Sequence, residues 1–195
     1  YNKAMEMYTS VLKQAEEFGN KRGIGASLRG IGAVYQIKGD IDIALEYYGR
    51  ALSIQEEIGD KVGKGNSLLH IGVVYLVRGD YKKAEEYLEK SLAITKEIGL
   101  GADDLLERTT YLYLAYKNLG KEYNEEEIHT FIKQTEFIEF DLNYRLYQLL
   151  EDPFYLETAY NQVQETADNL EPHVAAKFLE LIIPATIVKE WEKVN

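Results

Sequence analysis

The sequence predicts an all-α fold, a solenoid of stacked antiparallel helix pairs that ends in C-terminal capping helices. Three observations predict it. A stretch of the chain recurs after 40 residues, glycines close successive helix-length segments, and a helical apolar pattern continues after the repeat is lost. A period of this size is typical of solenoids, in which each unit buries its apolar faces only against its neighbours.

The repeat is plain in two stretches of 28 residues. "GAVYQIKGDIDIALEYYGRALSIQEEIG" begins at Gly32, and "GVVYLVRGDYKKAEEYLEKSLAITKEIG" begins at Gly72. Between positions 23 and 59, eighteen residues have the same type as the residue forty positions later. So many identities in one register indicate a duplicated structural unit.

Each unit is predicted to form two helices. In the first, Leu28, Ile31 and Tyr35 have the spacing i, i+3, i+7 and therefore share one helix face. Gly39 is expected to end this helix, because glycine adopts the left-handed conformation at low cost. Asp40 is then a favourable N-cap for the second helix.

Two glycines, Gly32 and Gly72, lie inside the first helix of their units. A glycine within a helix costs about 1 kcal/mol relative to alanine, so these positions predict a close approach between helices. Ala44, Ala51 and Ala84 are expected to be the small partners on the second helices.

These positions resemble the signature of the tetratricopeptide repeat, TPR. That signature consists of a large residue, an apolar residue followed by glycine, then tyrosine, alanine, an aromatic residue and alanine. In the first unit the matching residues are Leu28, Ile31, Gly32, Tyr35, Ala44, Tyr48 and Ala51. The usual repeat has about 34 residues, whereas this unit has 40. In this respect it resembles a long-repeat variety found in signalling scaffolds. The resemblance implies a TPR solenoid, which is a right-handed α-α superhelix of antiparallel helix pairs.

The domain organisation follows from the phase of the repeat. Residues 1–124 are predicted to be TPR units, and residues 125–195 an acidic helical C-terminal cap. The units are a partial one at 1–22, full ones at 23–62 and 63–102, and a degenerate one at 103–124 that continues into the cap. Tyr1 has the phase of a second helix, which suggests a longer protein with further repeats upstream. After Gly99 the register slips by one residue.

Charge separates the two regions and limits the classes of partner. Residues 1–120 contain 16 Lys and Arg against 17 Asp and Glu, whereas residues 121–195 contain 6 against 16. A net charge of −11 argues against nucleic acid and anionic membranes as partners, because both attract clustered Lys and Arg. The absence of cysteine and of an apolar signal segment at the start favours a cytoplasmic protein.

No residue pattern predicts an enzyme, a cofactor or a metal site. His70, His129 and His173 fall in three separate predicted helices and lack metal-ligand spacing. The "GKG" at Gly63 lacks the rest of a phosphate-binding loop and fits a connector between repeats. An enzyme would need a site within residues 125–195, with carboxyl groups of strongly shifted pKa.

Prolines and polar caps divide the C-terminal region into helices. Pro153 is predicted to end one helix, and Asn169 is a candidate N-cap for a helix that has Pro172 in its first turn. Pro184 is predicted to begin the last helix. The string "YLETAYNQVQETADNLEPHVAAKFLE" resembles tails that follow TPR arrays in multidomain signalling proteins, some of which contain nucleotide-cyclase domains.

The TPR resemblance implies a concave groove lined by the first helices of successive units. The implied groove residues are Arg29, Ala33, Gln36, Asn66, Leu69, Val73, Leu76, Thr110, Leu114 and Lys117. An apolar centre with a polar border suits an amphipathic helix or an extended peptide. The expected function is therefore a protein–protein interaction module of a larger signalling or scaffold protein.

Two alternatives to partner binding in the groove are left open. The first is a self-association module of a multidomain regulatory protein, in which the N-terminal helix docks on another copy through Ala4, Tyr8, Val11 and Leu12. Such a protein could be linked to a nucleotide cyclase. In the second alternative, the C-terminal helices of the chain itself fill the groove.

Overall fold

A computed structural model describes residues 2–194, which form eleven α-helices and no strand. Tyr1, where the phase of the first partial unit was assigned, lies outside the described residues. The helices are α1 (Asn2–Glu17), α2 (Lys21–Lys38), α3 (Ile41–Glu57), α4 (Lys61–Val77), α5 (Tyr81–Ile98), α6 (Ala102–Leu119), α7 (Glu125–Gln134), α8 (Phe140–Leu150), α9 (Pro153–Asp168), α10 (Pro172–Leu179) and α11 (Ile182–Val194).

Helices that are adjacent in sequence pack against each other along the repeats. The most extensive contacts are within the two predicted full units, α2 with α3 and α4 with α5. The contacts α3 with α4 and α5 with α6 join one unit to the next, and α2 and α6 both contact α4. The predicted all-α repeat solenoid is confirmed.

Glycines in the left-handed conformation separate the helices. Gly39 has a φ of 85°, and Gly19, Gly59, Gly79 and Gly99 also have positive φ values. These five positions are 20 residues apart, whereas the next glycine of this kind, Gly120, follows after 21. The predicted slip of one residue after Gly99 is therefore seen in the turns themselves.

Aspartates follow Gly39, Gly59 and Gly79 directly and precede the next helix. The Oδ1 of Asp60 accepts a hydrogen bond from the backbone N–H of Gly63 at 3.2 Å, and the Oδ1 of Asp80 accepts one from Lys83 at 3.3 Å. Asp40 has the predicted N-cap position of α3, but its side chain makes no capping bond. Asp40 therefore has the predicted cap position but does not form the capping hydrogen bond that Asp60 and Asp80 form.

The two mid-helix glycines mark close helix contacts, as predicted. A Cβ placed on Gly32 would lie 2.7 Å from Cε1 of Tyr48, and one on Gly72 would lie 2.6 Å from Cγ of Leu88. The predicted partners were alanines, yet the side chains that fill the space are Tyr48 and Leu88. Ala44 contributes its carbonyl oxygen, 3.3 Å from the Cβ position of Gly32.

The C-terminal helices begin and end differently from the predictions at two prolines. Pro153 does not end a helix but begins α9, where Asp152 caps the helix by accepting a bond from the N–H of Phe154 at 3.0 Å. Proline is favoured at this position because its missing N–H is not needed there. Pro184 lies in the first turn of α11, which begins two residues earlier, at Ile182.

The predicted N-cap at Asn169 is also wrong. Asn169 closes α9, and its side-chain amide donates to the carbonyl oxygen of Glu165 at 2.9 Å. Glu171 is the residue that precedes α10. Asn169 is therefore held by the helix before it and does not cap the one after it.

Candidate interaction surface

The centre of the predicted groove is buried, and helix α8 packs on its α6 side. Leu69 and Val73 of α4 and Leu114 of α6 are only 3%, 8% and 5% exposed. They belong to one buried cluster with Leu146 and Leu149 of α8. Helix α8 packs on α6, and a cavity lies between α4 and the start of α8, so the C-terminal region lies over part of the predicted groove.

Helix α8 has the pattern expected of a helix bound in a groove. Leu142, Leu146 and Leu149 have the spacing i, i+4, i+7 and lie on one face. Leu146 and Leu149 are fully buried, and Leu142 packs against the same cluster. The surface of α6 thus accommodates an amphipathic helix.

Lys117 of α6 holds the C-terminal end of α8. Its Nζ donates to the carbonyl oxygens of Gln148 and Leu149, both at 3.0 Å, and to Oε1 of Glu151 at 2.6 Å. A cation is favourable at a helix C-terminus, where carbonyl groups lack partners within the helix. The bond from Lys117 also lowers the pKa of Glu151. Lys117 was predicted as a partner anchor and is engaged within the chain.

The α2 side of the groove is more open. Ala26 is exposed, and Arg29, Ala33 and Gln36 are half-buried. The Nε of Arg29 is buried and has no hydrogen-bond partner, and the described residues provide no ion pair for its guanidinium. The Oε1 of Gln36 accepts a bond from the hydroxyl of Tyr48 at 2.7 Å. Arg29 is therefore a cation on this surface without an acidic partner in residues 2–194.

A buried arginine on α6 joins two of the concave helices and was missed by the sequence analysis. The side chain of Arg108 is 1% exposed and donates to Oδ1 of Asn66 at 2.5 Å and to Oδ1 of Asp104 at 2.9 Å. Asn66, which was predicted to contact a partner, therefore binds Arg108. The buried Oγ1 of Thr110, another predicted groove residue, has no partner among the described residues.

His70 lies on α4 between two arginines and is kept neutral. Its ring stacks on Tyr48, with ring centroids 5.1 Å apart. Burial, followed by the positive charges of Arg29 and Arg108, lowers the pKa of His70 to about 4. Both cations disfavour a third positive charge, so His70 contributes a neutral ring at pH 7.

Leu76, the last of the predicted groove residues, is half-buried against the cluster that contains α8. The structure thus divides the predicted set into two parts. The α4 and α6 members face α8 or each other, whereas the α2 members remain accessible in part.

No group of three or more His, Asp or Glu side chains within residues 2–194 is arranged to hold a metal ion.

In the described part of the chain, no helix has both the length and the apolar character that a membrane crossing requires. This finding covers helices only within residues 2–194.

Comparison with known proteins identifies the repeat. Residues 23–97 match the family model described as tetratricopeptide repeat. The crystal structure of BtubC (BKLC) from P. vanneervenii has a TM-score of 0.56 and 20% identity, over 68% of this chain and 54% of that chain. The present chain therefore spans about half the length of BtubC. No curated protein sequence matches the chain significantly.

Two further similar structures are of a protein from Podosopora anserina that is designated a putative kinesin light chain with nearly identical TPR-like repeats. The first has a TM-score of 0.52 and 19% identity, over 97% of this chain and 87% of that chain. The second, a single-substitution variant of the same protein, has a TM-score of 0.52 and 18% identity, over 98% and 88%. Identities this low show the fold alone. The chain is an all-α repeat solenoid, and its residues 23–97 match the tetratricopeptide repeat family.

Proposed function

We propose that this chain is a protein–protein interaction module that binds a segment of a partner on the α2 side of its concave surface. The match to the tetratricopeptide repeat supports this, since such repeats generally mediate interactions between proteins. Membership of a larger signalling or scaffold protein, with or without a nucleotide cyclase, stays a prediction.

The observation that carries the proposal is the unpaired Arg29 beside a groove that already accommodates a helix. Helix α8 shows the kind of segment that fits α6, an amphipathic helix with leucines on one face. Next to it, Arg29 has a buried Nε without a partner in the described residues. An unpaired donor in such a position favours binding of an acceptor, because an unsatisfied buried polar group is costly.

The residues around Arg29 define the chemistry of the partner. Ala26 and Ala33 are two helical turns apart on either side of Arg29, and their small side chains allow a backbone to come close. A guanidinium binds a carboxylate through two parallel hydrogen bonds. We therefore expect a partner segment that has an apolar face and an Asp or Glu side chain opposite Arg29.

The remaining predicted groove residues have different roles in this proposal. Gln36 lies at the far end of the same α2 face, and the half-buried Leu76 has the same position in the next unit, forty residues later. Asn66 holds Arg108, and Lys117 holds the end of α8. Leu69, Val73, Thr110 and Leu114 are buried and support the surface from below.

Selection from a random peptide library tests the proposal without knowledge of the partner. Enriched peptides should share an acidic residue, and fluorescence polarisation should give their affinities for the wild type and two variants. Arg29→Glu should weaken binding at least tenfold, because it replaces attraction by repulsion. Arg50→Glu, an equal charge change at an exposed position of α3, should change the affinity less than twofold.

Circular dichroism should confirm that both variants keep the helical content of the wild type. The proposal fails if the selection enriches no peptide, or if the two variants weaken binding equally.

A specific observation also favours the second candidate, self-association through α1. Met7, Val11 and Phe18 are 54%, 45% and 85% exposed on or directly after this helix. In contrast, Tyr8, one of the predicted docking residues, packs its ring on Gly30 of α2. The exposed residues and the predicted docking residues of α1 thus have only Val11 in common.

Sedimentation equilibrium of the wild type and of Val11→Glu/Phe18→Glu tests self-association. If α1 mediates it, the wild type should form a dimer that the double variant converts to a monomer. A monomeric wild type, or a dimer that persists in the variant, rejects this role for α1.

A further inference from the structure

A cavity of about 280 Å³ lies between the repeats and the C-terminal helices. Ile37 at the end of α2, Ile41 at the start of α3, and Val73 and Val77 of α4 line one side. The other side is formed by Phe140 of α8 and by residues 181–184, where α10 leads into α11. Gln36 and Val73 of the predicted groove also line this cavity, whereas Arg29 does not, so the cavity adjoins the proposed partner site at the far end of α2.

One part of the cavity wall is polar. Tyr111 of α6 is buried, and Asp141 and Arg145 lie one turn apart on α8. Burial and the neighbouring carboxylate of Asp141 raise the pKa of Tyr111, so its hydroxyl stays protonated. The polar wall therefore contains a neutral hydroxyl, an anion and a cation.

Arg145 has unused hydrogen-bonding capacity at this wall. Its Nη1 donates to Oε1 of Gln148 at 2.8 Å, and its guanidinium also interacts with the hydroxyl of Tyr111 and the ring of Tyr144. Its Nε is nevertheless buried without a hydrogen-bond partner in the described residues. No carboxylate within residues 2–194 forms an ion pair with it. A ligand acceptor beside Arg145 would satisfy a donor that the chain leaves unpaired.

Size and charge define the class of ligand. An engineered apolar cavity of about 150 Å³ binds benzene, so a cavity nearly twice as large admits on the order of ten non-hydrogen atoms. Asp141 disfavours a carboxylate, and Arg145 disfavours an ammonium group. A neutral group that both donates and accepts, such as a primary amide, can bond to both side chains.

We propose that this cavity binds a small neutral amphiphile, an aliphatic chain of about eight carbons with an amide head group at Asp141 and Arg145. The hydrocarbon chain lies among the isoleucine and valine side chains of α2, α3 and α4. Since residues 181–184 form part of the wall, the bound ligand joins the C-terminal helices to the repeats.

Isothermal titration calorimetry with octanamide as the probe tests this site. Octanamide has the proposed size and head group, while octanoate and octylammonium have the same chain with an anionic or a cationic head group. Octanamide should bind at least tenfold more tightly than either charged analogue. Absence of saturable binding, or tighter binding of octanoate or octylammonium, overturns the proposal.

Two substitutions in α4 form a matched pair that tests whether octanamide binds in this cavity. Val77 and Val62 are both exposed, but only Val77 lines the cavity. Val77→Trp should weaken octanamide binding at least tenfold, because the indole enters the cavity mouth. Val62→Trp should change it less than twofold, and an equal effect of the two substitutions overturns the assignment.

The head-group contact has its own readout. Arg145→Met removes the cation and leaves Asp141, so the preference for octanamide over octylammonium should fall at least fivefold. A preference that does not change in this variant, while Val77→Trp still blocks binding, overturns the placement of the amide at Arg145.

Discussion

Replacement of Gly72 by alanine tests the close packing on which the repeat depends. The new Cβ would lie 2.6 Å from Cγ of Leu88 and 3.3 Å from the backbone nitrogen of the same residue. Leu88 is fully buried, so its side chain cannot turn into solvent to relieve the contact. The helices α4 and α5 would have to move apart.

Two opposing contributions determine the size of the effect. Overpacking of a core costs about 1–3 kcal/mol. Alanine stabilises a helix interior by about 1 kcal/mol relative to glycine. The overpacking cost exceeds the gain in helix propensity, so Gly72→Ala should be destabilised by roughly 1 kcal/mol. The same substitution at a helix position with free space should stabilise the protein by about 1 kcal/mol.

Gly49 provides the control, because it lies within α3 and a Cβ there would have no heavy atom within 4 Å. Urea unfolding followed by circular dichroism should show a lower midpoint for Gly72→Ala and a higher midpoint for Gly49→Ala. The two free energies of unfolding should differ by about 2 kcal/mol. If both variants are stabilised equally, α4 and α5 are not in close contact at Gly72.

Three individual residues give further predictions. Gly99→Ala should lower the free energy of unfolding by about 1–2 kcal/mol, measured by urea unfolding, because Gly99 has a φ of 69° and an L residue adopts this conformation at that cost. A Cβ at Gly99 meets no neighbour, so the effect comes from the backbone alone. His70 has a folded pKa of about 4, below its value of about 6.5 in the unfolded chain, so the unfolded state binds the proton more readily. Stability should therefore fall by roughly 3 kcal/mol between pH 6.5 and pH 4. In His70→Gln, urea midpoints over this range should lose that part of the slope, and an unchanged slope would contradict the assignment. Lys117→Met leaves the last carbonyl groups of α8 without their cation. Amide hydrogen exchange in α8 should therefore accelerate by roughly tenfold, equivalent to about 1.4 kcal/mol. Exchange as slow as in the wild type would show that Lys117 does not hold the helix.

The repeat itself could be predicted from the sequence because its causes are local. Gly39 and the four glycines of the same kind adopt the left-handed conformation in the turns that follow helices α1 to α5. The identities between units fix the register, and Gly32 and Gly72 indicate where helices approach. Each of these signals can be read from residue types and their spacing, without knowledge of which distant parts of the chain are in contact.

The features that the sequence did not reveal depend on contacts between distant parts of the chain. Leu69 and Val73 have the positions of groove residues in the repeat, and nothing in their local pattern reveals that they are buried in one cluster with residues of α8, far later in the sequence. The leucine stripe of α8 indicates an apolar face without indicating its partner. Arg108 was missed for the same reason, since its burial depends on Asn66, 42 residues away.

Pro153 illustrates an ambiguity of a different kind. A proline disrupts a helix interior but suits its first turn, and the two cases differ only in the residue that precedes it. Asp152 before Pro153 is a good N-cap, and this signal could have identified the start of α9 from the sequence.

The most direct test of the concave surface as the partner site is hydrogen–deuterium exchange of the chain with and without a selected peptide at saturating concentration. We expect added protection in residues 25–37 of α2 and in the adjoining first half of α4, with α8 unchanged. Added protection confined to α3 and α5, or none at all, would contradict binding of a partner beside Arg29.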